Sequence, residues 1–154
     1  MRLQLLTKIA SFGASIEDLK IVYVTFVRSI LEQSSVVWHS SLTDENRQDL
    51  ARIQRSAVSI IMGERFKNYS NSLKYLELED LNSRRERLCL NFAIRSMKHE
   101  RFKHIFQPEN IEHNMTTRSN NKVKIQFASK ERLKRSAIPQ MQRLINNHFK
   151  KNNN

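Results

Sequence analysis

The chain holds four aspartates, Asp18, Asp44, Asp49 and Asp80, and their spacing decides whether two-metal chemistry is open to it. A polymerase or nuclease of that kind needs carboxylates converging on ions roughly 4 Å apart. No two aspartates are adjacent. Asp18, Asp44 and Asp80 each fall at an expected helix start, where a negative charge is stabilising, and Asp49 falls on a polar helical face. His39 beside Ser40 and Ser41 offers a base and a nucleophile, but a triad is a matter of geometry rather than adjacency. No Gly-x-Ser-x-Gly turn presents a serine, so a histidine packed beside a buried Trp38 is the simpler reading. Cys89, His99, His104 and His113 stand ten, five and nine residues apart, spacings that match no compact zinc finger. As the single cysteine, Cys89 can form no intrachain disulfide, which suits a reducing compartment. Among Leu88, Leu90 and Phe92 it reads as a small core residue. No catalytic residue, metal or cofactor is expected.

The remaining candidates are cations. Lys and Arg number 27 against 15 Asp and Glu, a net charge of +12, and such a field concentrates polyanions near the chain. Residues 1–77 hold 10 basic and 8 acidic side chains, whereas residues 78–154 hold 17 and 7. From Asn114 onward ten basic residues face one acid, Glu131. A block of this kind reads as a nucleic-acid-binding arm rather than as a merely solvated tail. The candidate contacts are Lys122, Lys124, Lys130, Arg132, Lys134 and Arg135, joined by Arg84, Arg85 and Arg87 on a helix face. Arg47, Arg52 and Arg55 read as solvated side chains. Phe66, Tyr69 and Tyr75 beside Arg65 and Lys67 mix rings with cations, as base stacking would need, but at helical spacing core packing is the better account.

Helices must position these groups. With 154 residues, 39% of them apolar, the chain can bury a core as one ordinary domain. Only 2 Gly and 2 Pro leave few tight turns, which disfavours β folds and Gly-rich phosphate loops alike. Leu3, Leu6 and Ala10 follow helical spacing up to Gly13; the helix opens without an N-cap, as in a piece of a longer chain or a frayed natural N-terminus. Ser15 with Asp18 resembles a capping box ahead of Ile16, Leu19, Tyr23, Phe26, Val27, Ile30 and Leu31. The Val36-Val37-Trp38 cluster reads as a packed corner. Thr43 caps a helix striped by Leu50, Ile53, Ala57, Ile60 and Ile61 and closed by Gly63. Ser70 caps a short fourth helix, and a fifth runs from about Asp80 to His99 with Leu81, Leu88, Phe92, Ile94 and Met97 as its buried face. Phe102, Ile105 and Phe106 extend the apolar pattern to Pro108.

The residues beyond are polar and read as a mobile loop over 107–122. Val123, Ile125 and Phe127 alternate like a strand too short for a sheet. Ser136-Ala137-Ile138-Pro139 then opens a last helix striped by Met141, Leu144, Ile145 and Phe149. The expected fold is all-α, an irregular bundle of about five to six helices. Its segments are a helical domain over 1–106, a polar and basic loop over 107–135, and a C-terminal helix with a frayed tail over 136–154. No apolar run approaches the roughly 20 residues of a membrane span, and Lys8 interrupts any signal-peptide core. The expected setting is intracellular, in nucleus or cytoplasm, without a membrane partner.

Several segments in order carry a resemblance. Leu19-Lys20-Ile21-Val22-Tyr23 through Arg28-Ser29-Ile30-Leu31-Glu32, then Val37-Trp38-His39-Ser40-Ser41-Leu42-Thr43, resemble the region after the palm in reverse transcriptases of non-LTR retrotransposons, the jockey-like group especially. Leu50 to Ala57 with Ile60-Ile61-Met62-Gly63 is similar to the family's Leu-Glu-x-Val-Gln-x-x-Ala helix, with Ala51 in place of Glu. Leu78 to Leu81, Arg84 to Leu90 and Phe92-Ala93 resemble its Arg-Arg helix, and Arg135-Ser136-Ala137-Ile138-Pro139 its final turn. The resemblance covers nearly the whole chain and implies a thumb and C-terminal extension without endonuclease, fingers, palm or paired metal-binding aspartates. Its implied role is gripping a template-primer duplex of RNA or DNA, not polymerisation. Two other readings are a helical interaction module, which self-associates or binds a related reverse transcriptase, and a decayed open reading frame without a selected role.

Overall fold

A computed structural model describes the chain over residues 2–107 and 123–152, and side-chain caps start several of its helices. The fold is all-α. Its helices are α1 (Arg2–Ser11), α2 (Ile16–Val22), α3 (Ser29–Glu32), α4 (Ser35–Trp38), α5 (Asp44–Met62), α6 (Tyr69–Tyr75), α7 (Leu81–Met97), α8 (Glu131–Lys134) and α9 (Ala137–Asn152). The chain groups into two units, one of residues 1–35 and 42–85, the other of residues 36–41 and 86–154. The division falls within α7, whereas the compositional boundary of the sequence falls at 106.

In the first unit, the Ser15 hydroxyl accepts from the Asp18 amide at 3.1 Å and donates to the Asp18 carboxylate at 2.7 Å. Thr43 accepts from Asn46 N–H at 3.2 Å to start α5. The cap of α6 is Asn68, which accepts from Ser70 N–H at 2.8 Å, rather than Ser70 as the sequence suggests. An asparagine side chain reaches the amide two residues on without a further turn of chain. The core joins Leu6, Leu19, Tyr23, Val27, Ala57, Val58, Ile61, Leu73, Leu76 and Leu78.

Between α2 and α3 the helix widens into a π-helical stretch, Tyr23–Arg28. Underwinding lengthens the repeat beyond 3.6 residues, so Leu19, Tyr23 and Val27, spaced by four, turn inward. Phe26 and Ile30, expected in the core, are 56% and 38% exposed. Thr25 bonds back to the Ile21 carbonyl at 2.8 Å, a contact that loosens helical turns.

Helix α6 ends in a Schellman motif. Glu77 N–H donates to Lys74 O at 3.1 Å and Leu78 N–H to Leu73 O at 2.9 Å, while Leu73 and Leu78 are both buried, the apolar contact that accompanies this geometry. Glu77 occupies the left-handed position at φ +53°, where glycine is the usual residue.

In the second unit, Ala93, Phe106, Val123, Met141 and Ile145 form the core, with Val36, Met97, Ile105 and Phe149 against it. The corner at α4 is helical but inverted in burial: His39 is buried, Trp38 is half-buried and Val37 is 69% exposed. Along α7 the buried stripe is Leu81, Arg85, Cys89, Ala93 and Ser96 rather than the larger Leu88 and Phe92. Phe92 is 45% exposed. Cys89 is buried and in no disulfide, the core role its neighbours suggested.

Candidate nucleic-acid interface

The basic segment is held on α9 by side-chain amides. Asn146 accepts from Val123 N–H at 2.8 Å and donates to Val123 O at 2.9 Å, so one amide replaces a neighbouring strand. One turn earlier, buried Gln142 accepts from Gln126 N–H at 2.8 Å and donates to Ile105 O at 2.7 Å. Lys124 N–H donates to Gln107 O at 2.9 Å. The Val123 to Phe127 run is therefore tied down at Val123, Lys124 and Gln126 and belongs to no strand among the described residues. Val123 and Ala128 turn inward; Lys124, Ile125, Gln126 and Phe127 turn out. Sequence reasoning missed Gln142 and Asn146; the available signal was two amides at i and i+4 flanking the Met141/Ile145 stripe.

After this run, Lys130 precedes α8, and Ser136 closes it by donating from its hydroxyl to Leu133 O at 2.7 Å. The Arg143 guanidinium donates to Lys134 O at 3.0 Å, a cation at the carbonyl end of a helix. Lys124, Lys130, Arg132 and Arg135 are exposed. Lys134 is half-buried and pairs with Glu131 at 3.2 Å. Lys122 lies outside the described residues, as does most of the polar loop over 107–122.

Two grooves open beside these cations, each of about 550 Å³. Val37, Lys130, Arg132, Leu133 and Ile138 line one. His104, Lys124, Ile125, Phe127 and Ile138 line the other. Among the described residues no acidic side chain lines either groove, and Ile138 is common to both.

The three candidate arginines of α7 fare differently. Arg84 donates through Nε to the Glu32 carboxylate, which Arg28 also approaches at 3.5 Å. Burial and the neighbouring Arg84 lower the Arg28 pKa. Arg85 is fully buried and offers no surface to an external phosphate, while Arg87 is exposed. Of the nine proposed contacts, the structure groups Lys124, Lys130, Arg132, Lys134 and Arg135 along one stretch of the second unit and sets Arg84 and Arg85 within the first.

The other constellations are accounted for locally. Asp80 accepts from Asn82 N–H at 3.0 Å at the start of α7, and Asp49 pairs with Arg52 at 2.6 Å. Ser41 donates to Trp38 O at 2.9 Å. Phe66 and Tyr69 pack against the first core, Arg55 lies over the Tyr69 ring at 5.2 Å, and Tyr75 is 58% exposed. Among the described residues no three His, Cys, Asp or Glu side chains are grouped to hold a metal ion, and no helix is long and apolar enough to cross a membrane. No protein-family model, curated protein or solved structure matches the chain.

Proposed function

We propose that this chain binds RNA or DNA through the phosphate backbone, as a non-catalytic post-palm region of a non-LTR retrotransposon reverse transcriptase. The observation that carries the reading is the charge of the second unit: 15 basic against 5 acidic residues, a balance of +10, while the first unit holds 12 and 10. Lys124, Lys130 and Arg132 are exposed on that unit with no ion pair to an acid among the described residues. Phosphate contacts of this type position a nucleic acid without reading its sequence.

The test is fluorescence anisotropy of a labelled RNA:DNA hybrid across a salt series. About five phosphate contacts correspond to a log-log slope near −4.5 on B-DNA. Replacing Lys124, Lys130 and Arg132 together by Ala is expected to flatten it by about 2.7, at roughly 0.9 per contact. An unchanged slope would remove these residues from the interface, and no binding at low salt would refute the reading.

A second reading, a protein-interaction module, is favoured by Phe12, Ile21 and Phe26 on the first unit, which are 88%, 59% and 56% exposed. Salt-insensitive self-association, with mass rising at micromolar concentration by light scattering, and no nucleic-acid binding would select it.

A further inference from the structure

Phe127 is 87% exposed, yet the backbone that carries it is fixed. Gln126 N–H is held by buried Gln142, and Ala128 on the other side is itself buried. The ring therefore stands on an anchored segment rather than on a loose tail, and little backbone entropy is lost when something packs on it. It lines the same groove as Lys124 and His104, and Ile138 joins that groove to the one lined by Lys130 and Arg132. Cations and one presented aromatic face, with no acid in either lining among the described residues, are the parts of a single-strand platform. The groove tracks phosphates while the ring stacks a base.

We propose that Phe127 is a stacking platform for an unpaired base, which makes the ligand of this interface a single strand or a single-stranded overhang. The proposal rests on the nucleic-acid reading above and narrows it. Bases within a duplex already stack on one another and cannot use the ring, so a duplex would engage the cations alone.

The experiment compares three labelled probes in anisotropy titrations: an oligo-deoxythymidine, an abasic strand of the same length and phosphate number, and a blunt duplex. The full chain is expected to bind the oligo-deoxythymidine about 5- to 150-fold tighter than the abasic strand, the span of one stacked base. Phe127→Ala should abolish that ratio while leaving duplex affinity and salt slope unchanged. Phe127→Trp should restore it, with its indole fluorescence quenched on binding. Far-UV circular dichroism should be the same for all three proteins, because the ring supports no core. Equal affinity for the two single strands, or a ratio that survives Phe127→Ala, would overturn the stacking proposal and leave backbone binding standing. Failure to bind any of the three probes at low salt would overturn both.

Discussion

Gln54 is a polar side chain with no accessible surface, and its replacement measures how strongly the start of α7 depends on one amide. Its Nε2 donates to Glu79 O at 3.0 Å, and its Oε1 accepts from Leu81 N–H at 2.7 Å and from the Tyr69 hydroxyl at 2.8 Å. Gln54→Leu keeps a similar volume and opens no large cavity, so the loss comes from partners left without a bond. The Tyr69 hydroxyl retains Asp80 at 3.4 Å, but the Glu79 carbonyl and the Leu81 amide lose the amide group that pairs them. At about 1–3 kcal/mol for each buried group left unsatisfied, the expected destabilisation is about 3 kcal/mol, a large share of the roughly 5–15 kcal/mol available to a domain. Urea unfolding followed by far-UV circular dichroism reads it directly. Gln48→Leu, at an exposed position of the same helix, is the control and should stay within about 0.5 kcal/mol. If both variants lose the same small amount with unchanged m-values, the hub does not hold α7.

Two further perturbations act on the first unit. Glu77→Gly relieves a left-handed backbone at φ +53° and forfeits only an exposed pair with Lys20 at 3.8 Å. A net gain of about 0.5 kcal/mol is expected, the left-handed penalty less the entropy of glycine; a lower Tm would refute it. The Tyr23 hydroxyl is pushed from 10.0 up to about 12 by burial. Its contribution is complete below pH 10, the pKa of the unfolded chain, and is lost as pH rises through the folded value. The loss is about 3 kcal/mol. Tyr69, raised by burial and then by Asp80, acts in the same direction. Tyr23→Phe should therefore shift alkaline unfolding to higher pH, seen by circular dichroism alongside tyrosinate absorbance; coincident profiles would mean the hydroxyl is not desolvated.

The helix starts were legible because a cap is a local event, set within four residues of sequence. Ser15, Thr43 and Asp80 act at the positions their types imply. The all-α class followed from the same local signals and from the scarcity of glycine and proline. What periodicity could not supply was the identity of the inward face. In the Tyr23–Arg28 stretch the repeat itself changes, which turns Phe26 out. In α7 the interior takes Cys89, Ala93 and Ser96, small residues that no count of apolar bulk selects. Arg85 shares that stripe, so a basic run that looked uniform in sequence divides into a buried arginine, an arginine paired with Glu32 and an exposed one. The Gln142 and Asn146 contacts join residues 16 to 37 positions apart, beyond any window in which a pattern could be read.

The two units treat their charges differently, and the difference bears on function. In the first, Arg28 and Arg84 meet at Glu32, Arg52 at Asp49 and Lys20 at Glu77, so the charges are largely answered within the unit. The second has 5 acids for 15 cations. Glu100 takes Lys103 and Glu131 takes Lys134, and even full pairing of the five acids would leave ten cations. Self-repulsion on that scale destabilises a folded unit, and its short core of Ala93, Phe106, Val123, Met141 and Ile145 is a modest source of compensation. Phosphates supplied from outside remove the repulsion and stabilise the folded form by mass action. The proposed backbone binding would thus account for both the surplus charge and its confinement to one unit.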